Sequence, residues 1–250
     1  MSNKRLPIDY FSCLKGFMFK IDLHVHTVKG SSDSGLLPQQ LIEESQRIGL
    51  DGVCLTEHGG GWNESSVDQE FRDSGLVVIP ALEVTTELGH VIAIGLNTHY
   101  PGTHRIEVLR EVVDKEGGVL ISAHPMRNFF NAPPYNVNLL YKDWNPSPTT
   151  PSEAAQHDLF SYVDYIEVTN GANSDEENAF TLEIAAALGI LGTGGSDSHS
   201  VQGLGKSLTV FKNRVTGVDS LLKELRSGLF YAAEGLNVGN LGKYTGLQQE

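Results

Sequence analysis

The sequence predicts an α/β fold built on a mostly parallel sheet, either open or closed into a barrel. Short apolar strands alternate with amphipathic helices along most of the 250 residues, which is the pattern of repeated β-then-α units. A single α/β barrel commonly fills this length, so we expect one domain over residues 1–250. Apolar residues make up 40% and charged residues 20% of the chain, a balance that excludes a largely disordered protein.

The first predicted strand covers residues 19–27, where alternation places Asp22, His24 and His26 on one face. Apolar runs predict further strands over residues 51–58, 75–84, 89–96, 118–124, 163–170 and 189–195. Apolar stripes and terminal glycines predict helices over residues 37–49, 104–117, 174–188 and 218–227. We therefore expect a domain core over about residues 19–232, followed by a Gly- and Gln-rich tail over 233–250.

Residues 126–151 form a long predicted loop that is rich in proline and aromatic side chains. A loop of this length inside a compact domain is more often a lid or a binding loop than a packing element. Its aromatic rings could stack on a base or close over a site, or they could cover the barrel. We expect the loop to lie over the functional site.

Charge and cysteine content limit the protein's setting and partners. The net charge is −13 and the pI is about 5.1, so extended contact with nucleic acid is disfavoured, although metal ions could reverse the local field at a phosphate site. Cys13 and Cys54 are too few for a disulfide framework. No apolar run is long enough to span a membrane, and Pro7 and Asp9 interrupt residues 1–17 before a signal peptide could form. We expect a cytoplasmic protein of unassigned oligomeric state.

Six of the nine histidines lie at or just beyond the ends of predicted strands, and carboxylates accompany them. In a parallel α/β fold, the carboxyl ends of the strands meet at one rim, where functional sites form. The side chains that we expect to converge there are His24, His26, Asp33, His58, Glu83, His90, His124, Asp197 and His199.

This set of side chains has the chemistry of a multinuclear metal site. Because His24 and His26 are two residues apart on a strand, both imidazoles leave the same face and can hold one cation. Asp197 and His199 repeat that spacing. Imidazole combined with carboxylate suits Mn, Fe or Zn. The set exceeds what one ion needs, so we expect two or three divalent transition-metal ions.

Four motifs that contain these residues, IDLHVHT, LTEHGG, AHP and GGSDSH in that order, resemble those of the PHP (polymerase and histidinol phosphatase) family. The resemblance extends from about Phe19 to about Ala232. It implies a distorted, seven-stranded, TIM-like (β/α) barrel with a trinuclear metal site at the C-terminal rim. It also implies metal-dependent hydrolysis of phosphoesters, as in free-standing members that act as phosphoesterases.

The resemblance also implies a role for each ligand. His24 and His26 would bind the first ion together with Asp197. Glu83 would bridge this ion to a second one, which His124 also holds. Metal-activated water held by His24, His26, Glu83 and Asp197 would then be the attacking group.

The third ion would be held by His58 and His199. Asp33 lies where some members have a histidine and others an aspartate for that ion. His90 follows the bridging glutamate at the start of the next strand, as in many short members of the family. Glu57 replaces an aspartate that the family often has before the second-motif histidine, and strand alternation predicts a structural role for it.

From its chemistry, Arg127 is our candidate for recognition of phosphate, because a guanidinium group can form two parallel hydrogen bonds to phosphate oxygens. The favoured function is a phosphatase or phosphodiesterase acting on a small phosphorylated metabolite or nucleotide through metal-activated water. One alternative is an exonuclease or phosphodiesterase that trims nucleic-acid ends, and another is a non-catalytic metal-binding module. A metal hydrolase acting on amides is disfavoured because no predicted strand end carries a lysine that could be carbamylated.

Overall fold

The computed structural model describes residues 18–247, in which one curled sheet is flanked by helices. The strands are β1 (Phe19–Val25), β2 (Gly52–Glu57), β3 (Val77–Thr86), β4 (Gly89–Ile94), β5 (Val119–Ser122), β6 (Tyr165–Asn170), β7 (Gly192–Gly195), β8 (Ser207–Phe211), β9 (Phe230–Glu234) and β10 (Gly242–Lys243). The helices are α1 (Pro38–Ile48), α2 (Glu64–Phe71), α3 (Ile106–Glu116), α4 (Pro151–Ala154), α5 (Asp175–Leu188) and α6 (Val218–Ser227). The expected absence of a signal peptide and the interpretation of Cys13 concern residues outside the described part.

The strands are arranged in the order β10-β9-β8-β1-β2-β3-β4-β5-β6-β7. β1, β2 and β3 are parallel to one another, and so are β5, β6 and β7, whereas β4 is antiparallel to both of its neighbours. Beyond β1, the pairs β1–β8, β8–β9 and β9–β10 are all antiparallel. The described sheet thus has ten strands instead of the seven that were predicted, because β8, β9 and β10 extend it on the far side of β1.

The sheet curls until the chain leaving β7 returns to β1. Val25 at the end of β1 forms a parallel bridge with Ser198. Ser198 N donates to His24 O, and His26 N donates to Ser198 O at 2.9 Å. This contact brings the carboxyl ends of the first and last parallel strands together at one rim.

The predicted helices over 37–49, 104–117, 174–188 and 218–227 are confirmed as α1, α3, α5 and α6. Sequence reasoning missed α2, whose eight residues carry few apolar side chains, and β8, a short apolar run that follows the Gly-rich segment 203–205. Cys54 is fully buried among the apolar side chains of β1, β3 and β4, as expected for a small core residue. Within residues 18–247, no helix has the length and apolar character needed to cross a membrane.

The long loop over 126–151 is anchored at several points. Met126 and Tyr141 are buried, and the Tyr141 hydroxyl donates to Ala154 O at 2.8 Å. Trp144 stacks on His157 with ring centroids 5.7 Å apart. His157 is buried, and its Nε2 atom lies 2.9 Å from Leu140 O. Part of the loop therefore packs on the outside of the sheet, and part remains exposed.

The close approach of β7 to β1 and β6 requires glycine at position 195. A Cβ atom there would lie 2.5 Å from the His24 Cβ atom and 2.5 Å from a Glu167 carboxylate oxygen. A Cβ atom at Gly194 would lie 2.4 Å from Leu208 O. Gly195 therefore lets β7 pass beneath His24 of β1, and Gly194 lets it pass close to the backbone of β8.

We predict that Gly195→Ala lowers the free energy of unfolding by about 1–3 kcal/mol, because the added methyl group overpacks a closed interior. Chemical denaturation monitored by circular dichroism would measure the change. Gly242→Ala is the matched control, because nothing lies within 4 Å of a Cβ atom there, and it should alter stability by less than about 0.5 kcal/mol. Equal stabilities for the two variants would contradict the packing argument.

Candidate metal centre

Histidine and carboxylate side chains from four strands meet at the rim of the curled sheet. His24 and His26 come from the end of β1, Glu83 from β3, His124 from just after β5 and Asp197 from just after β7. All five side chains are buried. The sheet therefore brings together residues that lie up to 173 positions apart in the chain.

The deepest group consists of His24, His26, Glu83 and Asp197. The Nε2 atoms of both histidines lie 3.2 Å from the same oxygen of Glu83, Oε2. Asp197 Oδ1 lies 3.4 Å from His24 Nε2 and 3.2 Å from His26 Nε2. Ligand atoms at about 2.05 Å from a tetrahedral metal ion are about 3.3 Å apart, so these four atoms have the spacing that one cation needs.

A second group shares Glu83 and contains His90 and His124. Its contacts use the other carboxylate oxygen: Glu83 Oε1 lies 2.9 Å from His124 Nε2 and 3.0 Å from His90 Nδ1. The two oxygens of Glu83 thus face two different groups. A carboxylate in this position can bridge two cations.

A third group consists of His26, His58 and His199 at the outer side of the rim. Asp33 approaches it from solvent: its Oδ2 lies 3.5 Å from His58 Nε2 and 3.4 Å from His199 Nε2, and its side chain is 57% exposed. Every residue of the predicted set therefore lies in this cluster, with Asp33 at its edge.

Several buried polar atoms in the cluster have no hydrogen-bond partner among the described residues. They are His26 Nε2, His90 Nδ1 and Asp197 Oδ1. Buried polar atoms without partners are costly. Each of these atoms is an imidazole nitrogen or a carboxylate oxygen that lies among other possible metal ligands, so bound cations would satisfy all three. The combination of imidazole and carboxylate fits transition-metal ions.

The orientation of His24 is fixed by Glu167, which sequence analysis left without a role. Glu167 Oε1 lies 3.0 Å from His24 Nδ1, so that nitrogen carries a proton and Nε2 is directed at the cluster. Glu167 Oε2 accepts from His124 N at 2.9 Å and from Asn170 Nδ2 at 2.9 Å. The signal in the sequence was an acidic residue between the apolar Ile166 and Val168 of a predicted strand.

His26 is held in the same way by Ser31 and Glu57. The Ser31 hydroxyl donates to Glu57 Oε2 at 2.6 Å, so it accepts from His26 Nδ1 at 3.0 Å and leaves Nε2 free for a cation. Glu57 also accepts from Thr27 N at 3.1 Å and from Trp62 Nε1 at 2.9 Å. The structural role predicted for Glu57 is confirmed, and these contacts connect it to His26.

The buried charged groups of the cluster shift one another's pKa values. Burial by itself would lower the pKa of His24, but the carboxylates of Asp197, Glu167 and Glu83 raise it well above its usual value. Burial would raise the pKa values of Glu83 and Asp197, whereas the neighbouring histidines, His24 first, hold both well below their usual range. The carboxylates therefore stay ionised in the interior, which is the charge state that a cation site needs.

Backbone strain is concentrated at two members of the cluster. His124 and Asp197 have φ angles of 31° and 53°, in the left-handed region. Such conformations cost about 1–3 kcal/mol each and persist where the surrounding structure enforces them. Here the strained turns aim both side chains into the centre from the ends of β5 and β7.

Arg127 lies beside the centre. Its Nη1 atom is 2.6 Å from Asp197 Oδ2, while Nη2 donates to Asn170 Oδ1 at 2.7 Å and Nε donates to Asn173 Oδ1 at 3.1 Å. The arginine thus occupies one oxygen of Asp197 and leaves the other, Oδ1, directed at His24 and His26. Its side chain remains 29% exposed.

We predict that Ser31→Ala weakens Mn²⁺ binding about 10- to 100-fold, because His26 loses the partner that fixes its protonated nitrogen. Titration of Mn²⁺ against a competing chelator would measure the affinity. Ser65→Ala, an exposed serine on α2, serves as the control and should bind as the unaltered protein does. Unchanged affinity in the Ser31 variant would show that the serine does not position His26.

Comparisons with known proteins agree with this architecture. A family model described as PHP-associated matches residues 175–229. An uncharacterized protein of Methanocaldococcus jannaschii is 28% identical over 118 residues, which are 42% of this chain and 67% of that protein.

Solved structures with low sequence identity share the fold. PsfC from Pseudomonas syringae has a TM-score of 0.56 at 19% identity, with 83% of this chain and 88% of PsfC covered. A Bifidobacterium adolescentis protein described as a metal-dependent phosphoesterase has a TM-score of 0.53 at 17% identity, with 82% and 95% covered. The PHP-associated match over residues 175–229, together with the ordered motifs whose histidines and carboxylates meet at one rim, makes the chain similar to proteins of the PHP family.

Proposed function

We propose that this protein is a metal-dependent phosphoesterase, a phosphatase or phosphodiesterase that acts on a small phosphorylated metabolite or nucleotide. The observation that carries the proposal is the position of Glu83, whose two oxygens face two separate groups of ligands. Divalent cations bound a few ångströms apart supply an activated water and offset the charge of a phosphoryl group. The chain's own residues then have to hold these cations and orient the substrate.

The proposed ligands divide among the three groups. The first ion is assigned to His24, His26, Glu83 and Asp197, the second to Glu83, His90 and His124, and the third to His58, His199 and Asp33 with His26 nearby. Imidazole and carboxylate together favour Mn, Fe or Zn. The exposure of Asp33 supports weaker occupancy of the third position than of the two buried ones.

Arg127 is proposed to bind the phosphoryl group. A guanidinium group carries five N–H bonds. In Arg127, Nη1 contacts Asp197, Nη2 donates to Asn170 and Nε donates to Asn173. The remaining N–H bonds are available at the partly exposed mouth of the centre. Because the group is held on three sides, it is oriented before the substrate arrives.

The alternatives have less support. Trimming of nucleic-acid ends would require a basic groove to offset the net charge of −13. A non-catalytic metal module would not require an arginine oriented beside the ligands. A cytoplasmic location and the absence of membrane partners stay predictions.

We predict that hydrolysis of phosphate esters is abolished by EDTA and restored by Mn²⁺, and that His26→Ala lowers kcat/KM at least about 100-fold. The reason is that His26 belongs to two of the three ligand groups. Loss of a residue that only orients a ligand lowers activity about 10- to 100-fold, and loss of a ligand itself should cost more. Phosphate release from mononucleotides, sugar phosphates and short oligonucleotides would be measured. His104→Ala, an exposed histidine away from the cluster, should retain full activity.

Equal rates for the His26 and His104 variants would remove the case for catalysis at this centre. A clear preference for oligonucleotides would instead favour the end-trimming alternative.

We predict that Arg127→Lys lowers kcat/KM about 10- to 100-fold, because a lysine cannot reproduce the forked hydrogen bonds of a guanidinium group, each worth about 1.5–3 kcal/mol with a charged partner. Steady-state kinetics on the best substrate of the panel would measure the loss. Arg105→Lys, at an arginine whose side chain is 62% exposed, is the matched control. An Arg127 variant as active as this control would exclude arginine from phosphate recognition.

A further inference from the structure

We propose that the alcohol released by the enzyme is a short, uncharged and largely apolar group, which binds in a pocket between the second ligand group and the 126–151 loop. The inference rests on the proposed phosphoesterase function and narrows its substrate class. It gives the exposed part of the loop a role in specificity.

The pocket adjoins the site of chemistry. Its lining includes His90, His124 and Arg127. It also includes Val137, Leu139 and Leu140 from the loop, which supply its apolar wall. A phosphoryl group held by the second ligand group and Arg127 would therefore direct one of its ester oxygens toward this apolar wall.

The chemistry of the lining selects an apolar occupant. Among residues 18–247, no carboxylate lines the pocket, so a positively charged group on the substrate would have no partner there. The one arginine of this lining, Arg127, is assigned to the phosphoryl group. The amide of Asn138 is already used, because Nδ2 donates to Pro125 O and Arg127 O and Oδ1 accepts from Tyr141 N. A polyol or sugar would lose hydrogen bonds to water with few replacements, whereas an alkyl group would gain apolar contact.

The size of the pocket limits the occupant further. Its volume is about 80 Å³, smaller than the cavity of about 150 Å³ that admits a benzene molecule. A nucleoside would not enter, but a chain of a few carbons would. Val137 and Leu139 are 62% and 41% exposed at the mouth of the pocket. An apolar substrate group that covers them would explain why apolar side chains are exposed there.

The test compares phosphomonoesters that differ in the alcohol alone, using the Mn²⁺-loaded protein. Ethyl, propyl and butyl phosphate form the apolar series, glycerol 1-phosphate is the polar analogue of propyl phosphate, and AMP is the large substrate. We expect kcat/KM to rise about fourfold for each methylene that becomes buried and then to level off. Glycerol 1-phosphate and AMP should both be at least tenfold poorer than propyl phosphate.

A variant of the wall provides the second arm. Leu139→Ala should lower kcat/KM for propyl phosphate about fourfold or more and leave glycerol 1-phosphate within about twofold, because an apolar contact alone is lost. Tyr135→Ala, in the same loop but 74% exposed and away from the lining, should change neither. Circular dichroism and thermal melting would verify that both variants are folded, and calorimetric titration with propylphosphonate would report binding independently of turnover.

The outcomes separate the two levels of the proposal. Absence of hydrolysis for every ester would overturn the phosphoesterase function itself. Efficient hydrolysis of AMP or glycerol 1-phosphate together with poor hydrolysis of propyl phosphate would overturn the apolar pocket and leave the phosphoesterase standing. Equal effects of the Leu139 and Tyr135 variants would likewise overturn the role of the wall.

Discussion

The return of the chain from β7 to β1 is the constraint on which the metal centre depends. The bridge between Val25 and Ser198 fixes the position of Asp197, because the next residue, Ser198, is tied to the end of β1 through both its N–H and its C=O. Gly195 allows this approach by leaving room for His24 and Glu167. Without this contact the acidic end of β7 would face away from the two histidines, and the deepest ligand group would lack one of its two carboxylates.

Once the ends of the strands meet, electrostatics governs the rest of the centre. Glu83 and Asp197 are buried as anions, a state that is costly unless positive charge lies close by. His24 and Arg127 supply such charge from within the protein, and cations would supply it more fully. The carboxylates of the centre are therefore suited to exchange protein partners for metal ions without a change in fold.

A layer of neutral and acidic side chains around the cluster sets which nitrogen of each histidine is available. Glu167 does this for His24, and Ser31 does it for His26 with Glu57 behind it. These outer contacts are made with residues from β6, β2 and the loop after β1. The same elements that build the sheet thus orient the ligands, which links the stability of the fold to the chemistry at its rim.

The sequence by itself determined the α/β class, four of the helices, seven of the strand positions and the full set of histidines and carboxylates at the rim. Hydrophobic periodicity and the spacing of His24 and His26 are local patterns, so they can be read directly from the sequence. What only the tertiary structure decided was pairing across distance: the ten-stranded sheet, the sharing of Glu83 between two groups, the contact of Arg127 with Asp197, and the roles of Glu167 and Ser31. These depend on which strand ends become neighbours when the sheet curls, and no local pattern along the chain encodes that proximity.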